Sequence, residues 1–263
     1  MPADAQTTEA LETTTDAFLG GQLVIEQTLD GSRAGLDAVF LAAACPVKAG
    51  QTVLELGSGS GIVALAVACR VADTQVTGIE IDPALRSLAI RNAERNGLTE
   101  RAAFFCGDVT GALAAIFDSG LLPDSFDHVV ANPPFLNAKD TRPPSDEKLR
   151  RAHSLGAGDL EKWIRTLAAF VRPGGSATLI HRADALPELL KLCAGRFGDL
   201  IAYPLFPRIG EPASRIIIQG RKGSRGPFRL ARGMVLHEAG REFMPEAKAV
   251  LRDGRGLDVT PSN

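Results

Sequence analysis

The segment Ala131-Asn132-Pro133-Pro134-Phe135 puts a carboxamide, two prolines and an aromatic ring in consecutive positions. An amino group on an aromatic ring is a poor nucleophile, because its lone pair is delocalised into the ring. A side-chain carbonyl and a backbone carbonyl that both accept from that NH2 favour a pyramidal nitrogen and free the lone pair. Asn132 Oδ1 and the Pro133 carbonyl are the right pair of acceptors, and the two prolines hold the backbone in one extended shape. Phe135 can stack on a flat substrate, a contact contributing about 1–3 kcal/mol per base. The proton becomes acidic only after the nitrogen has attacked, so no strong base is needed. Catalysis then rests on in-line alignment at roughly 3–3.5 Å. Asn132, Pro133, Pro134 and Phe135 are the candidate catalytic residues, and the chemistry they suit is methyl transfer to a planar amine.

A second constellation supplies a place for the methyl donor. Val53-Leu54-Glu55-Leu56-Gly57-Ser58-Gly59-Ser60-Gly61 sets a GxGxG loop between a strand-like and a helix-like segment. Glycines there permit a tight turn and close approach of a ligand to the main chain. Glu80, twenty-one residues after Gly59, ends the next strand-like segment, where a carboxylate can accept from ribose hydroxyls. The dinucleotide fingerprint GxGxxG requires its last glycine one position later, where this chain has Ile62. Glu55 would also repel a pyrophosphate, whereas a ligand bearing an ammonium and a sulfonium would be attracted to it. The sign of the local charge therefore selects S-adenosyl-L-methionine. Asp108, in Cys106-Gly107-Asp108-Val109, follows a third strand-like segment within reach of an adenine amino group. The expected cofactor-binding set is Glu55, Gly57, Ser58, Gly59, Gly61, Glu80, Ile81, Asp108 and Val109, with Asn132 shared.

These residues need a scaffold that brings strand ends together. From Gln51 onward the chain alternates strand and helix patterns, the mark of a mostly parallel sheet with helices on both faces. Strands are expected at 52–56, 75–80, 103–106, 126–131, 177–181, 200–205 and 215–219. Asp82-Pro83 reads as a helix N-cap and first turn, and Asn96-Gly97 as a left-handed helix end. Ile62–Cys69 is apolar all round, as suits a buried helix, and Asp159 opens a helix whose inner face carries Leu160, Ile164, Leu167 and Val171. The fold class is α/β, a Rossmann-like domain over 51–238. Residues 1–16 read as a disordered N-terminus, 17–50 as an extension covering the cofactor pocket, and 239–263 as a C-terminal tail.

Composition narrows the class further. The 263 residues are 45% hydrophobic and 23% charged, with a net charge of −2, which argues against a surface broadly coated with nucleic acid. The four cysteines form no CxxC pair, each lies in an apolar stretch, and no histidine stands at metal-ligand spacing. No metal is expected. The acidic N-terminus is unlike a signal peptide, and the longest apolar run, 62–69, is too short to span a bilayer. A cytoplasmic protein with no membrane partner is the expectation. Two stretches are locally basic. Residues 205–232 carry seven basic side chains against Glu211 alone, and 139–151 carry five against three acids. Arg208, Arg215, Arg221 and Lys222 in the first, and Lys139, Arg142, Arg150 and Arg151 in the second, are candidate RNA-backbone contacts, with Arg33 beside the pocket. Trp163, with Ile164 and Leu167, reads as packing rather than as a stacking platform.

Together these motifs resemble the class I methyltransferases of the "methyltransferase small" group, and within it the bacterial tRNA(Val) adenine-N6-methyltransferases. The resemblance spans roughly residues 16–238. It includes 16–21, 27–38, Leu54–Gly61, Asn132–Phe135, His153, Arg172-Pro173-Gly174-Gly175 and Pro212-Ala213-Ser214-Arg215. It implies a seven-stranded sheet whose last strand is antiparallel, S-adenosyl-L-methionine as cofactor, and tRNA as substrate. It also places Arg33 and Asp37 near the cofactor's methionine end. The family often has Gly-Tyr-Arg where this chain has Gly31-Ser32-Arg33. Two other readings stay open: a protein glutamine N5-methyltransferase, which uses a similar Asn-Pro-Pro loop, and a non-catalytic cofactor- and RNA-binding module.

Overall fold

The computed structural model describes residues 12–29, 35–134 and 159–260. An antiparallel hairpin comes first, β1 (Thr13–Phe18) against β2 (Leu23–Thr28). After α1 (Leu36–Ala44), strand and helix alternate: β3 (Thr52–Leu56), α2 (Ile62–Arg70), β4 (Gln75–Glu80), α3 (Pro83–Arg95), β5 (Ala102–Cys106), α4 (Leu113–Phe117) and β6 (Phe126–Ala131). Then follow α5 (Asp159–Phe170), β7 (Val171–Arg182), α6 (Leu186–Cys193), β8 (Phe197–Phe206) and β9 (Arg215–Lys222). The short β10 (Arg229–Leu230) and β11 (Met234–Val235) precede α7 (Pro245–Asp253).

The seven long strands of the main sheet lie in the order β8-β9-β7-β6-β3-β4-β5, with β9 antiparallel to both neighbours. That is the expected Rossmann-like α/β sheet with one correction: β10 and β11 each add two residues parallel to β8, making nine strands. The parallel strands are buried on both faces and so read as apolar runs rather than alternating ones. On one face Val53 packs with α1, α2 and the hairpin; on the other Leu54, Leu56 and Ile79 pack with Trp163, Ile164 and Leu167 of α5.

Sequence punctuation acts where expected. Asp82 Oδ1 accepts from Ala84 N at 2.8 Å with Pro83 in the first turn, and Gly97 takes φ 65° just past α3. Three segments differ from the sequence reading. β1 starts at Thr13, inside the stretch read as unpatterned, because Leu23 and Ile25 of its partner strand are fully buried. The tail contains α7, whose Ala247, Val250 and Leu251 are buried against the face shared by α1 and the hairpin. Cys106 is exposed at the end of β5, while Cys45 and Cys193 are buried, with their thiols pushed up to about 12 by loss of solvent. Among the described residues no helix is long and apolar enough to cross a membrane, and no cluster of His, Cys, Asp or Glu is placed to hold a metal.

Candidate active site at the carboxyl edge of the sheet

Register aligns the chemistry-bearing residues. Leu56 of β3 pairs with Ala131 of β6 and with Ile79 of β4, and Glu80 of β4 pairs with Cys106 of β5. The residues that follow, Gly57, Asn132, Glu80 and Asp108, therefore emerge side by side at one edge, the carboxyl ends of parallel strands where open α/β sheets bind ligands.

The glycine loop is wound by its own backbone. Gly57, Gly59 and Gly61 all have positive φ, at 66°, 52° and 84°. Ser58 N donates to Ile79 O at 2.9 Å and Gly61 N to Ser58 O at 2.7 Å. A Cβ on Gly57 would stand 2.5 Å from Trp163 Cη2, whereas one on Gly59 would meet open space. Two carboxylates flank the loop. Glu80 Oε2 accepts from Gly59 N at 2.7 Å and Oε1 from Asp82 N at 3.0 Å, so the side chain is fixed from both sides. Glu55 is 3% exposed and accepts from Ala64 N, in the first turn of α2, at 2.8 Å. Burial pushes both carboxyl groups above the usual carboxylate range. For Glu55 the neighbouring Glu80 charge adds to the rise, and the Ala64 hydrogen bond offsets part of it.

At the next strand end, Asp108 Oδ1 accepts from Thr110 N and Thr110 Oγ1 at 2.8 and 2.7 Å, which fixes it in a turn after β5. Ile81 is 59% exposed, an uncovered apolar side chain directly beside Glu80, and Val109 is buried. Asn132 Oδ1 is buried and has no hydrogen-bond partner, and the same holds for Ser58 Oγ and Trp163 Nε1. A buried acceptor without a partner costs about 1–3 kcal/mol, so each is a place where a ligand group restores a lost bond. Pro133 is buried and Pro134 half-buried. Phe135, with Arg33, Lys139, Arg142, Arg150 and Arg151, lies outside the described residues.

The site fits a cationic adenosyl ligand on its own chemistry. It offers two buried acidic groups, an orphaned carbonyl and an open face at Gly59. Both carboxylates accept from backbone N–H groups, and among the described residues no Arg or Lys pairs with either one.

Sequence reasoning missed the residues that hold this edge from behind. Asn92, fully buried on α3, donates to Ser60 O at 3.0 Å and to Glu26 O at 2.9 Å, and its Oδ1 accepts from Glu26 N at 2.8 Å. Asn96 closes the same two-way bond with Val24. The pair thus replaces a missing strand along β2 and ties the hairpin to the glycine loop. Two asparagines four apart, one inside α3 where it is a poor former and one at its C-cap, were the available signal. Thr166 Oγ1 and Arg165 Nη2 of α5 donate to Val109 O and Gly111 O, each at 2.7 Å.

The basic stretch 205–232 is not brought together. β9 runs antiparallel, so Arg215 starts it at the site edge while Arg221 and Lys222 end it at the opposite edge, opposite Ser176 and Phe197. Seven residues of strand separate Arg215 from Lys222 by about 23 Å. Arg215 Nε is held by Asp37 Oδ2 at 2.7 Å, and Lys222 Nζ by Asp124 and the Ala168 carbonyl. Arg208 remains at the site edge, in the loop after β8, beside Glu211 at 3.4 Å. Asp37 thus faces Arg215.

Comparison with known proteins agrees with this geometry. Residues 32–152 match the family described as methyltransferase small domain. A tRNA1(Val) (adenine(37)-N6)-methyltransferase of Porphyromonas gingivalis is 30% identical over 246 residues, covering 88% of this chain and 92% of its own. A release factor glutamine methyltransferase of Salmonella typhimurium is 32% identical over 142 residues, but this match covers 52% of this chain and 48% of its own. Among solved structures, a protein of Agrobacterium tumefaciens described as a predicted O-methyltransferase superposes with a TM-score of 0.71 at 30% identity, covering 84% of this chain and 97% of its own.

Proposed function

From the premise that this chain belongs to the S-adenosylmethionine-dependent methyltransferases of the small-domain family, we propose that it methylates the N6 amino group of adenine in tRNA. The observation that carries the reading is Asn132 Oδ1, a buried acceptor with no partner, emerging beside the glycine loop on the neighbouring strand. When bound, S-adenosylmethionine supplies the activated methyl group. Glu80 would hold its ribose, Asp108 and Ile81 its adenine, and Glu55 would face its cationic end. Gly57, Ser58, Gly59, Gly61 and Val109 would shape the rest of the pocket.

The chain's own residues act on the target amine. Asn132 Oδ1 accepts one N–H and the Pro133 carbonyl the other, which draws the nitrogen out of conjugation and aims its lone pair. Pro133 and Pro134 keep both acceptors in place, so little reorganisation accompanies the reaction. Phe135 supplies a stacking face for the base. Arg208 at the site edge would meet RNA phosphates, as would Arg33, Lys139, Arg142, Arg150 and Arg151. The full-length match to the Porphyromonas relative favours RNA over the protein-glutamine reading, since the release-factor enzyme is matched over only half its length. A cytoplasmic location accords with a tRNA substrate.

The test is incubation with radiolabelled S-adenosylmethionine and RNA from a methylation-deficient host, followed by digestion to nucleosides. Label should appear in N6-methyladenosine and fall by about 10²–10³ in the Asn132→Ala protein, by analogy with loss of one preorganised hydrogen-bonding group. Label in another nucleoside, or in protein, overturns the assignment.

A further inference from the structure

Trp163 is the only tryptophan in the chain and one of its most constrained side chains. It is 5% exposed, and the benzo edge of its indole lies against Gly57 so closely that no side chain fits there. Its Nε1–H is buried without an acceptor. Packing explains the ring but not the orphaned donor, since phenylalanine or leucine would fill apolar space at no such cost.

The neighbourhood says what the donor awaits. Gly57 is flanked from the two faces of the sheet: Glu55 on the α2 side, bonded to Ala64 N, and Trp163 on the α5 side, packed with Leu54 and Leu56. A carboxylate below the loop suits an ammonium, and the buried, unpaired N–H of the indole packed on the same glycine suits an anionic oxygen. An amino-acid moiety carries both groups on one carbon. We infer that Trp163 is a cofactor-binding residue whose indole N–H donates to the carboxylate of the methionyl end of S-adenosylmethionine, opposite Glu55.

This rests on the cofactor reading above and adds a consequence for α5. The helix that carries Trp163 also holds the Asp108 turn, through Thr166 to Val109 O and Arg165 to Gly111 O. One helix therefore contributes at both ends of the proposed cofactor cleft.

Three ligands separate the terms: S-adenosylmethionine, its decarboxylated analogue, and 5′-methylthioadenosine, which lacks the whole amino-acid end. Affinities are measured by calorimetry on wild type and Trp163→Phe, which removes the N–H and keeps an aromatic ring. Wild-type emission comes from Trp163 alone, so S-adenosylmethionine should change it at saturation more than methylthioadenosine does. The variant should bind S-adenosylmethionine about tenfold or more weakly, as expected for a hydrogen bond to a charged group. It should bind the decarboxylated analogue as wild type does. Equal weakening for both ligands, or no weakening of either, overturns the carboxylate contact and leaves Trp163 as packing. Wild type that binds none of the three overturns the cofactor reading itself. A Trp163→Leu protein run in parallel keeps the comparison decisive if phenylalanine fits poorly.

Discussion

Glu55 is the site residue whose behaviour the structure constrains most tightly, and Glu55→Gln tests that constraint. The carboxyl is 3% exposed and has one recorded donor, Ala64 N, with Glu80 adding repulsion. Burying an ion costs several kcal/mol, and one charge-assisted hydrogen bond offsets about 1.5–3 of it. The ionised form is therefore disfavoured in the ligand-free protein. Its folded-state pKa is raised above the ordinary 4.5, so the group's favourable contribution is complete below that value and is lost as pH climbs through the folded pKa. Glutamine keeps the acceptor for Ala64 N and carries no charge. Ligand-free Glu55→Gln should therefore match wild type near pH 4.5 and exceed it as pH rises, by about 2–4 °C in Tm per kcal/mol for a chain of this size. Binding a cation reverses the preference. Wild-type affinity for S-adenosylmethionine should rise with pH from 4.5 up to the folded-state pKa of Glu55, by up to about tenfold per unit as one proton is released, while the variant binds weakly and with a flat profile. Thermal melts across pH, with and without ligand, read both effects. Parallel stability curves for the two proteins, or a wild-type affinity that does not rise as pH climbs above 4.5, would refute the account.

Other perturbations probe separate parts of the structure. Gly57→Ala meets both a left-handed backbone and Trp163 at 2.5 Å; it should destabilise by about 1–2 kcal/mol from the backbone alone and abolish cofactor binding in calorimetry. His128 is buried between Ser176 Oγ and Gln51 Oε1, and loss of solvent lowers its pKa from 6.5 to about 4. A lowered histidine pKa means stability falls as pH drops from 6.5 toward 4, by about 3 kcal/mol at 1.36 kcal/mol per unit. His128→Gln should flatten that limb of the acid-unfolding curve. Arg208→Ala should weaken tRNA binding and reduce the salt slope by about 1, whereas Arg221→Ala, at the far edge of β9, should leave both unchanged in filter-binding assays across salt.

Much of the edge was legible because parallel α/β folds write it locally. Strand, glycine loop and helix are contiguous in 52–70, and Glu80 and Asn132 end apolar runs whose boundaries match β4 and β6 to the residue. The seven long strands follow from the same runs. The basic stretch misled for a physical reason: charge counted along the chain ignores that β9 is antiparallel, which carries Arg221 and Lys222 to the opposite end of the sheet. The added strands β10 and β11 are two residues long, too short for any periodicity to register. Trp163 was legible as core but not as a site residue, because its position beside Gly57 depends on how α5 crosses β3 and β6, a tertiary fact with no sequence spacing. Asn92 and Asn96 were hidden similarly, as their partners in the hairpin lie more than 60 residues away.

The polar groups around the glycine loop add to what the motifs argue for function. Several buried polar side chains are paired: Gln219 bonds Ala44 O and Thr178 Oγ1, His128 bonds two partners, and Asn92 makes three contacts. Buried polar atoms without a partner occur at Arg70 Nε, Thr74 Oγ1 and Arg165 Nε, and around the glycine loop at Ser58 Oγ, Asn132 Oδ1 and Trp163 Nε1, beside the buried carboxyl group of Glu55. Such groups cost about 1–3 kcal/mol each when left unmade. At the loop they coincide with a buried carboxyl on one turn and an amide carbonyl on the adjacent strand, a combination that suits a bound ligand. The site has stability withheld from it that binding can restore, which is why its chemistry and its strain lie on the same few residues.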